Sequence, residues 1–554
     1  MCSGYICARH HYQPGPWAGR HFEFEGVRTM AVSRREFLHR VGRAGGYGAA
    51  FLVMRGMGLM EAQTAPAEPA APGVGKGVKV VILGAGIAGL VAAYELQALG
   101  YECTVLESRQ RPGGRNWTVR GGDRVTFLDG ATQNCTWDEG NYQNFGPGRL
   151  PSVHKTMLGY CQKLGVPLQV EVNMTRSAYL QNDSVNGGKP MVLRQVENDT
   201  RGHVSELLEK AINQGLLDQD ISKEDRARML DFLRTYGPLD DAGKYAGSDR
   251  AGYAETAGAG DQTGVLSQPI DMHTLLDGDF WQNMLFDEQF DMQATMFQPV
   301  GGMDRIPYAF AKVLGDAVKY NAPVTEIRKT AKGVRVGYVG NGSPKAVEAD
   351  YCICTMPLTI LKRTPNDFSA PYTKVINECS YASAYKIAWE SRRFWEQDYN
   401  IYGGLGWVMQ GPSPLWYPSA NLMAETGVFV AGYMEEQGTP FFTMSMQEKF
   451  DASKASVEKL HSGHGKELKN PVYFGWRHMK WNEASWIRSW GNGRAGYDAL
   501  VAGDGPYYFA GDTVSNVNAW QEGAALSAKL VVQKISDKVK SSRLAGTDDG
   551  SRAV

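Results

Sequence analysis

The chain has 554 residues, with 58 basic and 59 acidic side chains and a formal net charge of −1. That length gives room for a large core and for about two or three interleaved domains, and the balanced charge supplies no global field toward nucleic acid or an anionic membrane. The 65 glycines suit a loop-rich α/β protein, and the eight cysteines stand at spacings that fit neither a disulfide framework nor a zinc site, so no metal is expected.

In chain order, Ser33-Arg34-Arg35-Glu36-Phe37-Leu38 comes first. It resembles a twin-arginine export signal, with Met30 as the expected start and a weakly apolar stretch reaching about Met60. An Ala/Pro-rich linker, TAPAEPAAPG, follows, and residues 1–75 are expected to be signal and linker. The resemblance implies the twin-arginine export machinery as a partner and a periplasmic or secreted destination. A disordered basic tail is the other reading. Arg43 and Arg55 interrupt the apolar stretch, whose uncharged runs fall far short of the roughly 20 residues of a spanning helix, so no membrane anchor is expected.

From Lys79 to Arg115 the pattern is strand, glycine turn, helix, strand, acid and basic glycine loop. Val80 to Leu83 is a short apolar run that predicts a buried parallel strand. Gly84, Gly86 and Gly89 form G-x-G-x-x-G at the turn into a helix, where free N–H groups suit a pyrophosphate. Glu107 closes a second strand, Cys103 to Leu106, where a carboxylate accepts from a ribose. The string LESRQRPGGR, with Arg109 and Arg115, resembles the E-x-R-x-R-x-G-G-R of flavin amine oxidases. The resemblance implies FAD, with this loop along its pyrophosphate.

DRVTFLDGATQNC then predicts a strand and turn. Val153, Met157, Cys161 and Leu164 recur at helical spacing, so a helix is expected over Ser152 to Leu164. Arg149, in the loop before it, belongs to GPGRLP, which resembles the G-P-M-R-x-P of L-amino-acid oxidases. There the arginine pairs with the substrate α-carboxylate, a task suited to a planar guanidinium. An arginine packed on flavin or on a structural acid is the alternative. Residues 165–290 read as an inserted helical region, with amphipathic helices in SELLEKAINQGL and SKEDRARMLDFLRTYG and a mobile Gly/Ala/Asp-rich loop after them.

MFQPVGGMDRIPYAFA resembles the family's G-G-M passage beside the flavin, with Asp304 as a helix cap. Val324, opening the predicted strand VTEIRKT, matches the position whose backbone holds adenine. AVEADYCICTMPLTIL is expected as a strand pair in which Cys352 and Cys354 are buried thiols. Lys386, on a strand of alternating character with Phe394-Trp395 beyond it, resembles the family lysine that holds a water at flavin N5. Tyr417 matches a tyrosine that touches the substrate carboxylate. In YYFAGDTVSNVNAWQEGAA, Asp512 resembles the acid that bonds the ribityl chain, and Trp520 resembles a wall of the substrate cage at the start of the last helix. Covalent members attach FAD through a late cysteine; no cysteine follows Cys379, so FAD is expected to be non-covalent.

The resemblance spans about Lys79 to Ile535. It implies an α/β fold with a doubly wound FAD-binding domain assembled from separated segments, a mixed-sheet substrate domain and a helical insertion. The expected limits are 76–148, 291–365 and 476–540 for the FAD segments, 149–290 for the substrate and helical region, 366–475 for the substrate domain and 541–554 for a disordered tail. It further implies oxidation of an L-amino acid by dioxygen to a 2-oxo acid, ammonia and hydrogen peroxide. A monoamine or polyamine oxidase, a decarboxylating amino-acid 2-monooxygenase and a non-catalytic flavin-binding protein are the alternatives, and a homodimer is an open possibility for assembly.

Overall fold

The computed structural model describes residues 73–548. The export-signal reading at Arg34 and Arg35 lies outside the described residues. The apolar run after Lys79 forms the strand Lys79–Leu83, in which every residue but the first is buried. It is flanked in parallel by Glu102–Leu106 and Tyr351–Cys354, and Val318–Lys319 and Tyr507–Phe509 extend the sheet to five strands. One face packs under the helices Ile87–Ala98, Arg305–Leu314 and Gln521–Asp548 through Val80, Ile82, Leu90, Phe310 and Val532. Val81, Leu83, Cys352 and Cys354 pack on the other face with Ile327, Val336 and Leu500. Covering both faces explains the unbroken apolar strands.

The two strands expected in AVEADYCIC both form but enter different sheets. Ser343–Ala349 closes an antiparallel meander with Val324–Thr330 and Gly333–Gly340, whereas Tyr351–Cys354 enters the parallel sheet. Asp350 separates them, its carboxylate accepting from the Lys79 amide at 2.7 Å. Asp304 also departs from expectation. It stands at the N-cap of Arg305–Leu314 but makes no side-chain cap bond, because Arg120 takes its carboxylate at 2.8 Å from both guanidinium nitrogens.

A seven-stranded mixed sheet lies beyond, in the order Met191–Val192, Tyr179–Gln181, Leu405–Val408, Leu415–Trp416, Thr426–Glu435, Ala384–Arg392, Lys469–Gly475. Ala384–Arg392 is buried along almost its whole length rather than alternating. Its surroundings cover both sides: Trp389 donates to Ser453 of the helix Met446–Leu460 at 3.0 Å, and Lys386 reaches backbone carbonyls of residues 144–146.

The stretch 165–290 is only partly helical. Leu168–Glu171 and Tyr179–Gln181 join sheets before the helices Leu193–Asn213 and Lys223–Tyr236 begin. Ser222 caps the second helix, accepting from the Asp225 amide. The Gly/Ala/Asp-rich segment is pinned by the buried Tyr245, whose hydroxyl donates to Asp199 at 2.6 Å. The helix Lys155–Lys163 starts later than expected because Leu150–Pro151 pair with Met296–Phe297. At the far end, the last helix continues to Asp548 through residues expected in a tail, and Arg543 donates to the Lys76 carbonyl at 2.7 Å.

Candidate active site

A single cavity of about 480 Å³ runs from the glycine turn to Arg149 and Lys386. Its first half is built by the sequence motif. Gly84 has φ +108, and a Cβ on Gly89 would sit 2.0 Å from the Gly84 carbonyl oxygen, so the third glycine is what lets helix meet strand. At Gly86 a Cβ would meet nothing within 4 Å, which leaves open space where a pyrophosphate approaches the helix N-terminus. Glu107 is buried, and its carboxylate accepts from the Ala85 amide at 2.8 Å and the Arg109 amide at 2.9 Å. Two backbone donors hold it oriented toward the same cavity.

Arg115 and Asp512 both line the cavity and pair with one another bidentately, a partnership that neither motif discloses alone. Arg109 donates to the Lys480 carbonyl and to Asn482 Oδ1. Val324, at the first position of its strand, lines the same half. Gln521, the first residue of the last helix, also lines the cavity, and its buried amide nitrogen has no partner in the protein. An unpartnered donor at a helix N-terminus fits a cofactor carbonyl, so the cradle suits a flavin dinucleotide.

The other half collects side chains from distant segments. Lys386 is 2% exposed; its ammonium donates to the carbonyls of Asn144 at 2.8 Å and Gly146 at 2.7 Å. Arg149 is buried, donates to Asn173 Oδ1 and lies 3.8 Å from Met292 Sδ. Among the described residues Arg149 forms no ion pair. Its guanidinium lies over the Trp416 ring at 4.1 Å from the centroid, and Lys386 Nζ is 5.0 Å from the centroids of Trp416 and Tyr433. Phe286, Met292 and Trp520 complete the walls. Trp520 meets His154 edge-on at 4.9 Å between centroids, and His154 Nε2 lies 3.3 Å from Asp291.

Burial sets the charges here. It pulls the Lys386 amine down to about 7, helped by the neighbouring Arg149 and opposed by Glu171. It pushes the Glu171 carboxyl up to about 7 against the Trp416 hydrogen bond and the Arg149 charge. It also lowers the Arg149 guanidinium from its usual value. Two basic groups in a dry cavity repel each other unless an anion joins them.

Tyr417 is not brought to this cavity. It is fully buried away from it, its hydroxyl 2.6 Å from His461 Nε2. The strand Leu415–Trp416 presents its neighbour Trp416 instead, and Tyr433, one of the tyrosines that line the cavity, stands opposite Lys386 in the sheet register. A one-residue difference along an extended chain reverses which side chain faces the site. The sequence reading also omitted Glu171, Phe286 and Met292. Glu171 carried no signal in the sequence: only the structure shows that in Leu168–Glu171 Val170 is 54% exposed while Glu171 is 4% exposed, the reverse of an ordinary alternating strand.

A family model for flavin containing amine oxidoreductase matches residues 87–536. An L-amino-acid oxidase of Echis ocellatus is 25% identical over 484 residues, covering 82% of this chain and 88% of that protein. One from Notechis scutatus scutatus is 25% identical over 500 residues, covering 85% and 89%. A solved putrescine oxidase bound to putrescine is 19% identical and aligns with a TM-score of 0.53, over 83% of this chain and 98% of that one, which shows a shared fold. The chain belongs to the flavin-containing amine oxidoreductase family, and the cofactor of this chain is FAD.

Proposed function

We propose that the enzyme oxidises an L-amino acid, consuming dioxygen and water and releasing the 2-oxo acid, ammonia and hydrogen peroxide. One observation carries this reading: Arg149 is buried in the cavity, lies on an aromatic plate and has no carboxylate partner of its own among the described residues. A bound α-carboxylate supplies the missing anion through a bidentate, charge-assisted contact. When bound, FAD would supply the redox chemistry, as acceptor of the substrate hydride and source of electrons for dioxygen. Arg149 fixes the carboxylate end of the substrate. Trp416, Tyr433 and Trp520 enclose it and keep water out. Lys386, with its amine near neutrality, holds or releases a proton at Nζ within the range where the substrate amine must lose one.

The test is a peroxide screen of the twenty L-amino acids against their decarboxylated amines, with product masses. Amino acids should win and give 2-oxo acids. Faster turnover of the amines would assign an amine oxidase, and an amide product would assign a monooxygenase. Denaturation should release intact FAD, since no cysteine follows Cys379. Flavin that stays on the precipitated chain would end the non-covalent assignment.

The same reading extends to location. Arg34 and Arg35 are proposed to direct export of the folded, FAD-loaded chain, which places peroxide outside the cytoplasm. Fractionation of a bacterial host should show a shortened periplasmic form that is lost on Arg34→Lys with Arg35→Lys. Cytoplasmic retention of both versions would leave the segment a basic tail.

A further inference from the structure

We infer that Glu171 is a positioning residue for the substrate cavity: its carboxylate holds the Trp416 indole as a shared plate under Arg149 and Lys386 and offsets their charge. The inference rests on the carboxylate-binding reading of Arg149. Glu171 does not line the main cavity. It lines a small second cavity of about 40 Å³ in which Trp416 and Gly148 also take part, so the indole separates the two spaces. Glu171 Oε1 accepts from Trp416 Nε1 at 2.9 Å. A Cβ on Gly148 would sit 2.4 Å from the Trp416 ring, so the ring is also held by close backbone approach. One plate thus sets the position of both cations, 4.1 Å and 5.0 Å from its centroid.

The electrostatics follow from the same contacts. Arg149 and Lys386 face Glu171 from the cavity side, together with Tyr433, which packs beside the plate. Tyr142 and Arg393 face the small cavity, and Arg393 is paired with Glu396. Glu171 is therefore the carboxylate nearest two buried basic groups that would otherwise repel one another.

Two variants of the FAD-loaded full chain separate the clamp from the charge. Glu171→Gln keeps an acceptor for the indole and removes the charge; Glu171→Leu removes both. Benzoate, read from the flavin absorbance it perturbs, probes the Arg149 site. Glu171→Gln should tighten benzoate by about tenfold, because a nearby negative charge is gone. Glu171→Leu should weaken it, because the plate under Arg149 is freed. A second readout needs no carboxylate: the pH at which the free holoenzyme's flavin spectrum responds to Lys386, identified by its loss in Lys386→Met. That transition should move to lower pH in Glu171→Gln, since the amine loses the carboxylate that favours its charged form. Benzoate affinities that move the same way in both variants, or a Lys386 transition unmoved by Glu171→Gln, overturn the proposal. If the wild type ignores benzoate, the reading of Arg149 fails alone and the Lys386 transition still decides the role of Glu171. If Glu171→Leu does not fold, Glu171→Gln decides through both readouts.

Discussion

The two halves of the cavity treat charge in opposite ways. In the dinucleotide half the fixed charges are already matched within the protein: Arg115 by Asp512, Glu107 by two backbone amides, Arg109 by a carbonyl and an asparagine. In the substrate half Arg149 and Lys386 are buried against carbonyls, an amide and aromatic rings, with the neighbouring Glu171 carboxylate behind an indole. A matched cradle recognises its ligand through space and backbone donors. An under-matched cavity recognises its ligand by the charge it lacks. Cofactor retention and substrate choice should therefore fail separately.

The largest effect is expected in the cradle. Gly89→Ala puts a Cβ against the Gly84 backbone carbonyl, which cannot move without parting helix from strand, so no soluble FAD-bound protein should form. Gly86→Ala is the contrasting case: it meets no protein atom within 4 Å, so the chain should fold but purify with less flavin, read from the flavin-to-protein absorbance ratio. Full flavin content in Gly86→Ala would show that the open space is not where the pyrophosphate lies. In the substrate half, Arg149→Ala should retain FAD and lose kcat/KM for amino acids by roughly 10- to 150-fold, the equivalent of about 1.5–3 kcal/mol. Unchanged amino-acid kinetics would place the anchor elsewhere.

Smaller changes sharpen the contrast. Lys386→Met should keep fold and FAD while slowing reaction with dioxygen about tenfold, more than it slows anaerobic reduction, because a positive group beside the reaction is lost. Stopped-flow of the two half-reactions checks this, and slow reduction with normal oxygen reactivity would make Lys386 a substrate residue. The smallest effect is on pH. As pH rises through about 7, Lys386 loses its proton and Glu171 gains its charge, so the cavity becomes less positive. Binding of an anionic carboxylate should therefore weaken by a few-fold as pH rises, while kcat rises as the substrate amine becomes neutral. A KM that falls with pH would contradict the assigned directions.

The cradle was legible because its chemistry is local. Gly84, Gly86, Gly89, Glu107 and the arginine loop fall within one strand–helix–strand unit, where spacing dictates geometry. Arg149 and Lys386 were legible from short strings, and the structure brings both to one cavity. Tyr417 was misplaced because strand parity decides which face a residue takes, and LWYPS alone does not reveal whether Trp416 or Tyr417 looks inward. Tyr433, Phe286 and Met292 carry no motif and reach the site only through sheet pairing and chain path. Glu171 falls within residues 165–290, where the sequence pattern predicts a helical insertion, so the inverted strand Leu168–Glu171 appears only in the structure.

Phe286 and Met292 stand on two single 3-10 turns, Phe286–Glu288 and Phe290–Met292, tied to the rest of the cavity by the Asn173 amide on the Met292 carbonyl at 2.7 Å. No strand of the dinucleotide sheet depends on them. A short stretch of chain outside both large sheets thus supplies one cavity wall. The oxidation chemistry and the range of molecules admitted to it can then be inherited independently, and replacing residues 286–292 alone is a route to a different substrate on the same flavoprotein.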